Sequence, residues 1–364
     1  MIAITFPTLS ADELYRLLEP PRGKVRLVID TDAHNEIDDQ FALVWALLSP
    51  EKFDIEGVYA APYSFAHHRE PLLEAYRLLK AGYAGQVSEK LKKYESWARR
   101  LIEAEIDPYA IPFVPPDEGM ELSYQEILTV FDKLGQDPTG QVFRGSFGYL
   151  TSLDRPIHSP ATEHLIERAL ANPAEPLYVA AIGCLPNVAS AILLEPAIIK
   201  NMVVLWTSAY PSCCNLSNAA SFNLVQDALS AQLLLDCGVA HVYLPGFHVG
   251  AQLKISLAEM DLWVKGQGAI GDYLYHLYTH NPIHAQRGIT DHFGRTWVIW
   301  DLINFAWLLN PHWVPSQLVT SPMLNDDLCW QHDPARHLMR EAYGVDRDEI
   351  FRDFFRKLAQ AAEK

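Results

Sequence analysis

The chain has 364 residues, of which 49% are hydrophobic and 20% charged. This composition is typical of a globular protein with a large core, and it excludes a wholly disordered chain. The formal net charge of −16 argues against a surface that binds phosphate backbones or anionic lipid. We therefore expect no nucleic-acid partner and no membrane partner.

Short apolar runs alternate with helical segments along most of the chain. Strands are predicted at residues 24–29, 54–60, 177–182, 202–206 and 241–244. Helices are predicted at residues 38–48, 71–82, 159–171, 186–194 and 227–238. This alternation predicts an α/β fold, a Rossmann-like and mostly parallel sheet with helices on both faces.

Residues 83–141 interrupt the alternation. They are charged, with two helical pieces, near residues 88–105 and 124–134, and a proline-rich connector at residues 112–116. We interpret them as a helical insertion in a single domain that spans residues 1–364. From Leu257 onward the chain is mainly helical and aromatic, and we expect this part to cover the strand ends.

The N-terminus shows no secretory signal, and no apolar run has the length of a membrane helix. The number of cysteines is odd, and no C-x-x-C pattern is present. These features predict reduced thiols and a cytoplasmic location. The cysteines are Cys184, Cys213, Cys214, Cys237 and Cys329.

An acidic segment directly follows the first predicted strand. It places Asp30, Asp32, Glu36, Asp38 and Asp39 within ten residues, between a buried strand and a buried helix. Like charges at such a junction are costly unless a cation or hydrogen-bond donors compensate them, and oxygen ligands suit Ca²⁺ or Mg²⁺. The alternative, in which Asp38 only caps the helix and the others face water, explains one or two of the five.

The aspartates of this segment resemble the start of the inosine-uridine-preferring nucleoside hydrolase family. Members of that family have a strand, then Asp-x-Asp, a short loop and Asp-Asp at a helix start. The equivalents here are Asp30, Asp32, Asp38 and Asp39, with a loop two residues longer than usual. A phosphatase of the haloacid dehalogenase type is a weaker alternative, because Gly and Thr or Val usually follow its Asp-x-Asp motif closely.

Further motifs extend the resemblance over nearly the whole chain except residues 83–141. Residues 183–187 read Gly-Cys-Leu-Pro-Asn, where the family has Gly-Pro-Leu-Thr-Asn. Residues 215–227 are similar to a Gly-Asn … Glu-Phe-Asn … Asp pattern. Residues 300–301 match the late His-Asp of the family, or the Trp-Asp of its bacterial branch.

The resemblance implies a Ca²⁺-dependent hydrolase of N-glycosidic bonds that releases a free base and ribose from a nucleoside. It implies that Asp32 is the general base and that the protein is a homo-oligomer, a dimer or a tetramer. The Ca²⁺ ligands it implies are Asp32, Asp39, Asp301 and the backbone carbonyl of Pro186. The substrate-binding residues it implies are Asp38, Asn215 and Asn223, together with Ser64, Ser221 and Trp300 at altered positions of the pattern.

These altered positions support an alternative function. Ser64 stands where the family has Asn, Ser221 where it has Glu, and Trp300 where it has the His that assists the leaving group. The chain can therefore also be interpreted as a metal-retaining ribose- or nucleoside-binding protein with little catalysis. If it is a hydrolase, either the base departs without a strong acid or another side chain in the sequence assists it. The candidates in predicted loops are His34, His67, His68, His248, His284 and His292.

Overall fold

The structure is a computed structural model that describes residues 5–82, 88–289 and 295–363. We number the strands within these ranges in chain order. They are β1 (Val25–Thr31), β2 (Phe53–Ala60), β3 (Val142–Arg144), β4 (Leu177–Ala181), β5 (Met202–Ser208), β6 (Ala240–Pro245), β7 (Lys254–Ser256), β8 (Thr296–Val298), β9 (Ser316–Thr320), β10 (Met323–Leu324), β11 (Trp330–Gln331) and β12 (Leu338–Ala342).

The helices are numbered in the same way. They are α1 (Ala11–Leu18), α2 (Asp38–Leu47), α3 (Arg69–Lys80), α4 (Glu89–Glu103), α5 (Pro116–Leu134), α6 (Pro160–Ala171), α7 (Pro186–Leu194), α8 (Phe222–Val225), α9 (Ala228–Asp236), α10 (Leu257–Glu259), α11 (Gly268–Thr279), α12 (Pro282–Gln286), α13 (Leu302–Leu309) and α14 (Arg347–Ala362). None of the described helices is long and apolar enough to cross a membrane.

Eight strands form one central sheet in the order β3-β2-β1-β4-β5-β6-β12-β9. Every neighbouring pair in it is parallel except β12 and β9, which run antiparallel at one edge. The predicted mostly parallel sheet is confirmed. Strands β3, β9 and β12 join it although the sequence patterns did not predict them.

The sheet is covered on both faces, as predicted, because successive side chains of a strand point to opposite sides. On β1, Leu27 and Ile29 are buried in a core with residues of α2, α13 and α14. Val28, between them, is buried in a second core with residues of α6, α7 and α9. The inner strands of the sheet therefore need apolar residues at consecutive positions, which explains the continuous apolar runs in the sequence.

The predicted insertion at residues 83–141 contains two helices that pack differently. Helix α4 packs on α3 in a small separate core that includes Tyr94 and Leu101. Helix α5 begins at Pro116, earlier than predicted, because proline suits the first helical turn. Its Ile127 and Phe131 are buried in the main core beside the sheet. Residues 83–87 lie outside the described ranges.

Candidate active site

A cavity of about 280 Å³ lies at the carboxyl ends of the central strands. From β1 the chain adds β2 and then β3 toward one edge of the sheet. It then returns to place β4 on the other side of β1 and adds β5 and β6 toward the opposite edge, so the strand order reverses between β1 and β4. Ligands of open α/β sheets bind at such a reversal of strand order. The volume is near the lower end of typical small-molecule pockets.

The floor of the cavity is acidic because three chain segments deliver carboxylates to it. Asp32 directly follows β1, Asp38 and Asp39 open α2, and Asp301 directly precedes α13. Asp38, Asp39 and Asp301 each offer one oxygen within 4.8 Å of the others. Asp32 is fully buried, and its charge raises the pKa of Asp39 and Asp301, so it belongs to the same cluster.

These buried carboxyl groups oppose one another's ionisation. Burial raises the pKa of Asp32, Asp38, Asp39 and Asp301 well above the usual range, and repulsion between their charges adds to this effect. No ion pair between residues of the described ranges includes any of the four. No side-chain cation of these ranges is therefore in ion-pair contact with the cluster.

The environment of Asp32 tests whether a metal ion fits this cluster. Its Oδ2 accepts a hydrogen bond of 3.2 Å from Asn35 Nδ2, whereas its Oδ1 is buried without a partner in the part of the chain described. Gly183 approaches so closely that a Cβ there would lie 2.9 Å from Asp32 Oδ1. A buried, unpaired carboxylate oxygen beside three other carboxylates is the donor set of a hard divalent cation, so the residues fit one.

Asp30 supports the acidic segment without lining the cavity. Its Oδ1 accepts a 2.7 Å hydrogen bond from Asn187 Nδ2, and Asn187 Oδ1 accepts another from the backbone N–H of Ser146. Burial raises the pKa of Asp30 to about 7, partly offset by the bond from Asn187. This network connects β1 to the start of α7 and to the loop after β3.

The structure brings seven of the predicted site residues together. Asn223 Nδ2 donates hydrogen bonds to the carbonyls of Ile182 and Thr207, which leaves its amide oxygen for a ligand. Ser221 Oγ shares a hydrogen bond of 2.7 Å with Ser208 Oγ and accepts another from the backbone N–H of Ala209. The seven that line the cavity are Asp32, Asp38, Asp39, Ser221, Asn223, Trp300 and Asp301.

Three predicted residues do not line the cavity. Ser64 is buried beside it, and its Oγ donates to the carbonyl of Val114. Asn215 is exposed in the loop after β5. Pro186 is buried at the first position of α7. The roles implied for them as sugar ligands and as a carbonyl ligand of the metal stay predictions.

Aromatic side chains that the sequence analysis did not assign form a wall of the cavity. Phe65 and Phe222 stack with ring centroids 4.6 Å apart, and Phe247 meets Trp300 edge to face at 6.0 Å. The exposed Arg287 also lines the cavity. Phe65 and Phe222 directly follow Ser64 and Ser221, so the only signal for them was their adjacency to predicted site residues.

The structure separates the candidate histidines. Within the described ranges, His68 alone among the six lines the cavity. His34 is exposed and pairs through Nδ1 with the hydroxyl of Tyr63, whereas His292 lies outside the described residues. The other three candidates, none of them at the cavity, are His67, His248 and His284.

Comparisons with known proteins identify relatives of this chain. A probable uridine nucleosidase 2 of Arabidopsis thaliana is 29% identical over 147 residues, which is 35% of this chain and 45% of that relative. The match therefore spans less than half of the length of the curated relative.

Two solved structures have a similar fold. A purine-preferring ribonucleoside hydrolase from Gardnerella vaginalis has a TM-score of 0.63 at 17% identity, covering 93% of this chain and 99% of that one. An inosine-uridine preferring nucleoside hydrolase from Bacillus anthracis has a TM-score of 0.58 at 15% identity, covering 92% and 99%. The model of the family described as inosine-uridine preferring nucleoside hydrolase matches residues 27–350. The chain therefore belongs to the inosine-uridine preferring nucleoside hydrolase family.

Proposed function

We propose that this protein hydrolyses the N-glycosidic bond of ribonucleosides and that it requires bound Ca²⁺. The observation that carries the proposal is the convergence of four buried aspartates, from three chain segments, on one nucleoside-sized cavity. Membership in the family and the curated uridine nucleosidase relative support the same reaction.

The proposed cation is held by Asp32, Asp39 and Asp301, with the Pro186 carbonyl as the remaining ligand implied by the family pattern. When bound, it supplies positive charge that attracts sugar hydroxyls and lowers the pKa of a nearby water. Oxygen donors at this density suit a cation that takes six to eight oxygen ligands, which favours Ca²⁺ over Mg²⁺.

Different side chains of the cavity have different roles in the proposed reaction. Asp32 accepts a proton from the attacking water at its unpaired Oδ1, while Asp38 and the amide oxygen of Asn223 bind sugar hydroxyls. The sugar gains positive charge as its bond to the base breaks, and the surrounding carboxylates stabilise that charge. Trp300, beside Asp301, packs against the departing base.

A second candidate function, nucleoside or ribose binding with little catalysis, is favoured by Ser221. Its hydroxyl is already engaged by Ser208 and Ala209, and it is too short to replace the glutamate of the family pattern. We therefore expect weak hydrolysis of the standard purine and pyrimidine ribonucleosides, and a different sugar or a bulkier substituent as the preferred substrate.

One assay separates the two functions. Reducing-sugar release is measured for a panel of ribonucleosides, first after treatment with a chelator and then with Ca²⁺ restored. Calcium-dependent release supports the hydrolase. Calcium-dependent binding of ribose in a calorimetric titration, without any release, supports the binding protein. The absence of both sugar release and ribose binding would contradict both proposals.

We also infer a homo-oligomer and a cytoplasmic location. The support is the family resemblance for the first and the cysteine pattern for the second. Light scattering of the purified protein tests the first, since a monomeric mass contradicts it, and localisation of a tagged chain tests the second.

A further inference from the structure

His68 occupies a particular place in the aromatic wall of the cavity. It ends the short 3₁₀ turn Ala66–His68, just after β2, and it is half-buried. Its ring stacks on Phe65 with centroids 6.2 Å apart, and Phe65 in turn stacks on Phe222. The wall that would face a flat, aromatic base therefore contains one imidazole.

The orientation of this imidazole is set by the helix α4. The hydroxyl of the buried Tyr94 lies 2.9 Å from His68 Nδ1, and the ring of Trp97 packs edge-on against His68 at 5.8 Å. Burial raises the pKa of Tyr94, which keeps this phenol neutral. Among the described residues its hydroxyl has no other acceptor, so we assign Tyr94 as the hydrogen-bond donor and His68 Nδ1 as the acceptor. Its hydrogen bond then leaves the imidazole proton on Nε2.

The charge state of His68 agrees with this arrangement. Burial, and then the neighbouring His67, Lys93 and Arg287, lower the pKa of His68 to about 3. The ring is therefore neutral near pH 7, with an N–H group at Nε2. That nitrogen has no hydrogen-bond partner among the described residues, and His68 borders the cavity.

We propose that His68 donates a hydrogen bond from Nε2 to the leaving base and that Tyr94 is a positioning residue that fixes the donating tautomer. This inference rests on the proposed hydrolase function. When the bond from C1′ to the base nitrogen breaks, its electron pair stays on the base, and an N–H donor stabilises the resulting negative charge. The proton that the base finally gains from solvent balances the one that Asp32 takes from water.

The test compares two leaving groups. Inosine releases a base that needs stabilisation, whereas p-nitrophenyl riboside releases a phenolate that departs without assistance. His68→Phe keeps a ring against Phe65 but removes the donor, and Tyr94→Phe removes only the hydroxyl. His67→Phe is the matched control, because His67 touches the His68 ring but does not line the cavity.

The expected effect is selective for the leaving group. His68→Phe should lower kcat/KM for inosine about 100-fold, the lower range for loss of such a group, with less than about threefold loss for the p-nitrophenyl riboside. Tyr94→Phe should lower the inosine value about tenfold, and His68→Gln, which retains an N–H donor, should recover part of the loss. His67→Phe should not lower kcat/KM for one substrate more than for the other.

Three results would overturn the proposal. Equal losses on both substrates in His68→Phe would assign the residue a structural role, and no loss on either would place the donor elsewhere. If the wild type cleaved the p-nitrophenyl riboside but no natural ribonucleoside, the role of His68 as leaving-group donor would be contradicted, whereas hydrolysis of a riboside would not. Failure of the wild type to cleave any riboside would contradict the proposed function itself, so the two failures are distinguishable.

Discussion

Asp32 is the residue on which the proposed chemistry depends most. At saturating Ca²⁺, Asp32→Asn should preserve the fold while lowering kcat by about two to four orders of magnitude, because the amide cannot accept the proton of water. Asp30→Asn, the same change two residues away but outside the cavity, should lower kcat much less. Circular dichroism checks the fold, and a kcat for Asp32→Asn near the wild-type value would move the base to Asp38.

Site residues were predictable from the sequence where their neighbours in the structure are also close in sequence. The carboxylates of residues 30–39 were predictable because a strand and a helix a few residues apart position all of them. The environment of Ser64 was not, since its backbone N–H donates to Gln226 Oε1, 162 residues away. Asn218 likewise binds the Leu328 carbonyl and holds the loop that leaves Asn215 exposed. Such contacts have no local sequence signal.

At the scale of elements, long buried strands and helices were predictable and short edge strands were not. Strands β1, β4 and β5 are buried at every position, so their apolar runs are continuous. Strand β3 has only three residues, and β9 is partly exposed throughout. Neither is long or regular enough to show a strand period, and tertiary pairing alone places them in the sheet.

The short helix α8 allows a test of the missing glutamate. Ser221 directly precedes it and lines the cavity, so Ser221→Glu places a carboxylate there but also removes the bonds to Ser208 and Ala209. Ser221→Ala loses the same bonds without adding charge and is the matched control. A hydrogen bond to a charged group contributes about 1.5–3 kcal/mol, so kcat/KM for inosine should be at least about tenfold higher for Glu than for Ala. Equal values would show that the carboxylate does not reach the sugar.

At the scale of the whole molecule, buried His241 on β6 makes stability depend on pH. Burial lowers its pKa to about 3, whereas an unfolded histidine titrates near 6.5. Because the unfolded state binds the extra proton, the contribution of His241 is fully present above pH 6.5 and is lost as the pH falls toward 3.

His241→Leu should therefore remove this dependence. Relative to the variant, the wild type should lose about 2 kcal/mol of unfolding free energy between pH 7.5 and pH 5. Urea denaturation of both proteins at the two pH values measures the difference. A constant difference would mean that His241 is protonated in the folded state or that its surroundings relax to hydrate it.

Metal binding should also change the stability of the whole molecule, because the acidic floor joins β1, α2 and the start of α13. Without a cation, four buried aspartates repel one another, so chelation should lower the melting temperature and Ca²⁺ should restore it. Ligand at 100 times its Kd stabilises the folded state by about 2.7 kcal/mol.

Asp39→Asn separates the effect of repulsion between the aspartates from the effect of Ca²⁺ binding. The variant keeps an oxygen for the hydroxyl of Thr31 but removes one charge, so without metal it should melt at a higher temperature than the wild type. It should also gain less from Ca²⁺, because a neutral amide is a poorer ligand. Asp227→Asn, at a buried helix cap outside the cavity, is the control and should leave the Ca²⁺ response unchanged. A wild type whose melting temperature ignores both chelator and Ca²⁺ would contradict a metal at this site.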